Sequence, residues 1–231
     1  VLACFGLVMA ATSAMVLGET LPPARRNIEG VRGAGARYRV LLRDRVYVGA
    51  VVVSSMCFTT MFSYLSSSSF LYQEDFGLSA QQYGFLFAAN AVGMTICSQI
   101  SARLMRRHSP ARVMARWLAA MLVGTTVLLV AGMLGAPPTV LVVLVSTAII
   151  ANGGANAPIQ VVALSRHGEH AGTAASVLGA ANFGLAGLIS PLVGALGVSV
   201  TSMAAVMVAA VVVANAGLWL VIRPSTVEIL R

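Results

Sequence analysis

"VYVGAVVVSSMCFTTMFSYLSSSSFLY", Val46 to Tyr72, contains no Asp, Glu, Lys, Arg or His. A hydrocarbon core about 30 Å thick is crossed by about 20 helical residues rising about 1.5 Å each, so this run is long enough to span a bilayer. Its apolar residues are continuous rather than alternating, which favours a helix over a barrel strand, and a lone helix satisfies its own backbone groups in lipid. Working outward, six further runs qualify: Val1 to Leu17, Tyr83 to Ala102, Trp117 to Leu134, Thr139 to Ser165, Gly172 to Leu196 and Val200 to Ile222. The expected fold is therefore an all-α polytopic membrane protein with seven spans. Composition agrees, with 58% hydrophobic and 10% charged residues, against about 25% charged in an ordinary soluble domain.

The net charge is +8, and all fifteen basic residues are Arg. They form no stripe or aromatic-interleaved patch of the kind that binds nucleic acid; they mark topology. Seven fall in the first loop (Arg25, Arg26, Arg32, Arg37, Arg39, Arg43, Arg45) and five around the third (Arg103, Arg106, Arg107, Arg112, Arg116). Arg166 lies in the fifth, and Arg223 and Arg231 follow the last run, while "QEDFGLSAQQ", "GAPP" and "GVSV" contain none. Cytoplasmic loops retain the positive excess, because an Arg at the bilayer centre costs about 2.5 to 3.5 kcal/mol on insertion scales. The Arg-rich loops are thus expected inside, with the C-terminus, and Val1 outside.

The chain starts without an initiator Met. A signal peptide would show a basic segment before its apolar run and a small-residue cleavage site before a secreted domain; "GETLPPARR" followed by more apolar runs shows neither. The upstream part of a longer protein is expected. The first loop, Gly18 to Arg45, is the only long connection. It reads as a solvated tether with a helical tail from Tyr38 onward, since Gly30, Gly33 and Gly35 weaken a helix; a short amphipathic helix on an anionic leaflet is the alternative.

No ionisable Asp, Glu, Lys, Arg or His lies deep in any run. Such residues mark proton relays and ion paths, so these spans offer no proton-carrying site, and the serines have no base or metal to activate them as nucleophiles. The three Cys read as packing residues and the three His lack metal-ligand spacing. No cofactor, metal or enzymatic activity is expected.

Uncharged polar residues say more. Asn152, Asn156 and Gln160 follow i, i+4, i+8 spacing, which puts three amides on one helical face. That face should turn from lipid, either to bond a neighbouring helix, at about 0.6 kcal/mol, or to line a polar cavity. Asn90 and Asn182 carry the same pair of readings. In the quoted run, Phe58, Met61, Phe62 and Tyr64 accompany a four-serine stretch that includes Ser67; deformable Met and apolar rings beside hydroxyls suit an amphiphile. Gly179, Gly184, Gly187, Gly194 and Gly197 surround Pro191, which removes a backbone bond and bends the span, so this helix reads either as densely packed or as a surface that rocks.

Four segments resemble one family. "FSYLSSSSFLYQEDFGLSAQQYGFLFAANAVG" (Phe62 to Gly93) looks like the seventh-to-eighth-span region of Bcr/CflA-type drug-resistance transporters, within the major facilitator superfamily. "GETLPPARR" resembles the end of that family's sixth span, "HAGTAASVLGAANF" the start of its eleventh, and "ARLMRRHSPARV" the second copy of its cytoplasmic loop motif. The resemblance implies that residues 1–17 are the last span of an N-terminal half, 18–45 a cytoplasmic inter-half loop, 46–222 a C-terminal six-helix bundle and 223–231 a cytoplasmic tail. It implies an exporter of drugs or other small molecules in the bacterial inner membrane, driven by protons and working by alternating access between two six-helix halves. The sequence departs from the family pattern in "SSSSF" and in lacking the half that would carry a proton-coupling carboxylate.

The expected cavity is formed by the second, third, fifth and sixth runs. Tyr64, Ser67, Asn90, Asn152, Asn156 and Asn182 are its polar contacts, and Phe58, Met61 and Phe62 its apolar ones. Arg103, Arg106 and Arg107 would stabilise one access state through helix-end contacts, with Pro191 as a gating bend. The implied partners are a small-molecule substrate, protons, the lipid bilayer and the N-terminal half of the same polypeptide. A seven-span receptor or scaffold without transport shares the orientation and is the alternative.

Overall fold

The computed structural model describes residues 2–16, 30–165, 167–168, 171–195, 197 and 199–222, excluding the side chains at 2, 14, 30–34, 36 and 190–195. Among them eight α-helices occur: α1 (Leu2–Val16), α2 (Gly30–Arg43), α3 (Arg45–Phe70), α4 (Ala80–Met105), α5 (Pro110–Met133), α6 (Pro138–Leu164), α7 (Ala171–Ala195) and α8 (Val200–Ala216). α3 runs on into a π-helical turn, Leu71–Asp75, and α8 into another, Gly217–Ile222. The chain forms two compact units, Val1–Arg37 and Tyr38–Arg231.

Six of the described helices are long and apolar enough to cross a membrane, all of them in the second unit. α1, an apolar helix, falls within the run expected from Val1 to Leu17, whose first and last residues lie outside the described ones. α2 differs from expectation, starting at Gly30 rather than Tyr38. Each Gly disfavours a helix by about 1 kcal/mol relative to Ala, but propensity is a weak prior that anchoring elsewhere overrides. Here the anchor is Leu41, fully buried against Tyr47 and Ala174.

The helix starts follow local chemistry. The Asp44 carboxylate accepts from the Val46 N–H at 2.9 Å and caps α3. Ser79 and Gln82 form a reciprocal capping box on α4, as Ser199 and Ser202 do on α8. α5 and α6 begin on Pro110 and Pro138, where a missing N–H does no harm. Asp44 makes a second tie: its Oδ2 lies 3.0 Å from Nε2 of His167, whose ring meets Tyr47 edge-on at 5.4 Å, while the Tyr47 hydroxyl donates to the Ala174 carbonyl at 2.7 Å. The start of α3 is thereby held to the α6–α7 connection and the first turn of α7.

Within the bundle α3 packs against α6, α7 and α8, α5 against α6 and α8, and α4 chiefly against α6. One apolar cluster joins Val53, Met114, Leu118, Ile159, Val211 and Leu218; another joins Leu71, Leu128, Val145, Ile149 and Met203. α6 carries the tightest contacts. A Cβ on Gly153 would sit 2.6 Å from the Met94 Cα, one on Gly93 would sit 2.6 Å from Ile150, and one on Gly154 would collide with the Trp117 ring. Close approach of this kind is what small residues provide between membrane helices.

Pro158, inside α6, has no N–H to give the carbonyl four residues earlier, that of Gly154. Ser101 of α4 supplies the replacement, its Oγ donating to the Gly154 oxygen at 2.6 Å from a fully buried position. Ser101→Ala should therefore destabilise the bundle by about 1 to 3 kcal/mol, the cost of a buried polar group left unmade. Gly153→Val should cost about 1 to 3 kcal/mol or more by forcing α4 from α6. Thermal unfolding in detergent checks both, and unchanged midpoints would show that α4 is not anchored this way.

Candidate functional site

A cleft of about 260 Å³ opens between α3, α6 and α7, with α4 at its edge. α3 contributes Ser54, Cys57, Phe58 and Met61, α6 contributes Asn152, Asn156, Ile159 and Gln160, α7 contributes Asn182, and α4 contributes Met94. The i, i+4, i+8 amides of α6 thus run along one wall, with Asn152 buried, Asn156 exposed and Gln160 half-buried. A depression of about 290 Å³ on α5, lined by Thr126, Val127, Val130, Ala131 and Leu134, is apolar and open. Its larger volume offers no convergent polar groups, which specific small-molecule sites have, so the α3–α6–α7 cleft is the better candidate.

Two of the amides are held. The Asn152 Nδ2 donates to the Cys57 carbonyl at 3.0 Å, tying α6 to α3. The Ser55 hydroxyl donates to Oδ1 of Asn182 at 3.1 Å, tying α3 to α7. Asn156 and Gln160 have no hydrogen-bond partner among the described residues. Beside them the rings of Phe58 and Phe62 lie 5.0 Å apart, and Phe183 of α7 meets Phe58 edge-on at 4.9 Å and Phe62 at 6.2 Å. None of the residues lining the cleft is Asp, Glu, Lys, Arg or His.

Tyr64, Ser67 and Asn90 do not join this cleft. Tyr64 and Ser67 are each 1% exposed, further along α3, and the Asn90 Nδ2 donates to the Tyr64 hydroxyl at 3.1 Å. Tyr64 stacks on Phe87 and meets Tyr72 edge-on, Tyr72 meets Tyr83, and the Tyr83 hydroxyl bonds Ser68 at 3.0 Å. This second aromatic and hydroxyl cluster joins the end of α3 to the first half of α4. The sequence reading placed α4 on the cavity through Asn90; in the structure its cleft residue is Met94, one helical turn on.

Phe58, Met61, Asn152, Asn156 and Asn182 all reach the cleft, and Phe62 backs it through the ring contacts. The residues missed were Ser54, Ser55, Cys57, Met94, Ile159 and Phe183, with Gln160 recognised on the stripe but not named a contact. Ser54, Phe58 and Met61 share helical spacing and Phe183 follows Asn182, so periodicity and adjacency could have found several of them. Arg103 occupies the last turn of α4 and Arg106 and Arg107 follow it, all three exposed, where cations suit the carbonyl end of a helix. Pro191 lies within α7, with its side chain outside the described ones.

A bundle of six membrane-length helices with a neutral, amide-lined cleft is the architecture of a polytopic membrane protein. Residues 1–191 match the Major Facilitator Superfamily, and the chain belongs to this superfamily of membrane transporters. Over 218 residues it is 28% identical to the uncharacterized MFS-type transporter YdgK of Bacillus subtilis (strain 168), covering 93% of this chain and 54% of YdgK. The chain spans about half the length of that relative. No solved structure matches it.

The Asn90–Tyr64 bond joins α3 to α4 away from the cleft. A double-mutant cycle on Asn90→Leu and Tyr64→Phe, read by unfolding in detergent, should give a coupling of about 0.6 to 1.7 kcal/mol. Strictly additive effects would show that the two side chains are not partners.

Proposed function

We propose that the chain is the C-terminal half of a secondary active transporter of the Bcr/CflA type, which exports small-molecule drugs or metabolites across the bacterial inner membrane. The observation that carries this reading is the cleft between α3, α6 and α7, where unpartnered amides and phenylalanine rings face one space inside a membrane-spanning bundle. Superfamily membership supports alternating access, in which two six-helix halves rock around a site near the bilayer midplane. Residues 46–222 are one such half, 1–17 the last span of the other, 18–45 the linker between them and 223–231 the tail.

The segregation of Arg supports an inward-facing linker, third loop and C-terminus. Arg103, Arg106 and Arg107, at the carbonyl end of α4, stabilise one access state by contacts at that end. Export is driven by protons, with the coupling carboxylate in the other half, as the resemblance to the Bcr/CflA type implies.

An efflux assay on the full-length gene product, expressed in cells loaded with a panel of fluorescent drugs, tests the reading. Export should occur and should collapse when a protonophore dissipates the gradient. Asn156→Leu, which disturbs no described hydrogen bond, should change the relative efflux of panel members by several-fold while leaving membrane insertion intact. If full-length protein inserts but exports nothing, or if Asn156→Leu leaves every rate unchanged, this assignment of the cleft fails.

A further inference from the structure

Hydrogen-bond bookkeeping inside the cleft limits what can occupy it. A backbone carbonyl only accepts, so the group of Asn152 that meets the Cys57 oxygen must be its NH₂. Its Oδ1 is then the atom left over, an acceptor with no donor among the described residues. The reverse holds for Asn182: its Oδ1 takes the Ser55 hydroxyl, which leaves its NH₂ as a donor. Both side chains are more than nine-tenths buried and both line the cleft. Both residues thus line one cleft with an acceptor on Asn152 and a donor on Asn182 not used by the bond that ties each to α3.

The apolar surround is equally specific. Phe58 lines the cleft and is braced by Phe62 and Phe183 at 5.0 and 4.9 Å, spacings that suit edge-to-face or offset packing with a further ring. Met61 and Met94 face it from α3 and α4, and thioethers make favourable contacts at ring edges. No lining residue carries a formal charge, so an anion entering here would be desolvated without a partner.

We propose that this cleft takes an uncharged aromatic carboxamide: a planar ring on the Phe58 side, an N–H donated to Asn152 Oδ1, and a carbonyl that accepts from Asn182 Nδ2. The ligand class rests on the transporter reading for what happens after binding, but the binding step can be measured by itself.

The test titrates four probes into the full-length gene product in detergent: 2-naphthamide, N,N-dimethyl-2-naphthamide, decahydro-2-naphthamide and 2-naphthoate. Loss of the N–H donors should weaken binding about tenfold, equivalent to about 1.4 kcal/mol, saturation of the rings should also weaken it several-fold, and naphthoate should not compete. Asn152→Leu should erase the preference for naphthamide over its dimethyl analogue while leaving the ring preference. Because that variant also severs the α3–α6 tie, Phe58→Leu is the second variant, expected to erase the ring preference and keep the N–H preference. Equal affinity for all four probes, tighter binding of naphthoate, or no binding of naphthamide up to its solubility limit would overturn the proposal. Transport is read apart from this: naphthamide preference without any efflux would refute the exporter and keep the ligand class, whereas efflux with no discrimination among the four would do the opposite.

Discussion

In hydrocarbon there is no water to complete a backbone, and each peptide group left without a partner costs several kcal/mol. α6 breaks its own ladder at Pro158, and the bond from Ser101 to the Gly154 carbonyl completes it from a different helix. That contact needs α4 close to α6, which the glycines at 93 and 153 permit because neither presents a Cβ to the facing helix. With α4 seated there, Met94 reaches the edge of the cleft and the amides of Asn152, Asn156 and Gln160 face α3 and α7 instead of lipid. The site follows from a repaired backbone as much as from its own side chains.

The same economy governs the polar side chains. Asn152 and Asn182 are each tied to α3, one to a main-chain oxygen and the other to Ser55. Each amide has both a donor and an acceptor end, so one bond cannot consume it. Using one end to fasten helices leaves the other directed and rigid, and a rigid polar group binds with less loss of rotamer freedom than a mobile one. Interhelical fastening and cavity lining, which compete as explanations when only the sequence is in view, are thus compatible roles for a single Asn.

Fold class was legible because it depends on long runs without charge, and the six described membrane-length helices overlap six of the seven expected runs, α5 starting at Pro110 rather than Trp117. α2 starts earlier than expected and passes through three glycines, while its Leu41 is fully buried with Tyr47 and Ala174. Which face of each helix turns inward was legible only where several polar residues shared it, as on α6. Asn90 shares α4 with Gln81, Gln82 and Gln99, and nothing in their spacing says whether it meets a cavity or Tyr64. Phe183 was hidden for the opposite reason: one ring in a small-residue helix has no periodicity, and its role comes from Phe58 and Phe62 across the helix boundary.

Charge completes the division of labour. No Arg lines the α3–α6–α7 cleft, which offers amides, a hydroxyl, a thiol, thioethers, a ring and an aliphatic side chain. A membrane bundle with a buried charge must compensate for it in every conformation it visits, since an unpaired ion in low dielectric costs several kcal/mol even after relaxation. A wall with only neutral dipoles incurs no such cost when it separates from an opposite wall, because an uncoupled amide can turn to water or to a ligand with little net change in free energy. Neutrality on the α3–α6–α7 surface is therefore compatible with the alternating access proposed above.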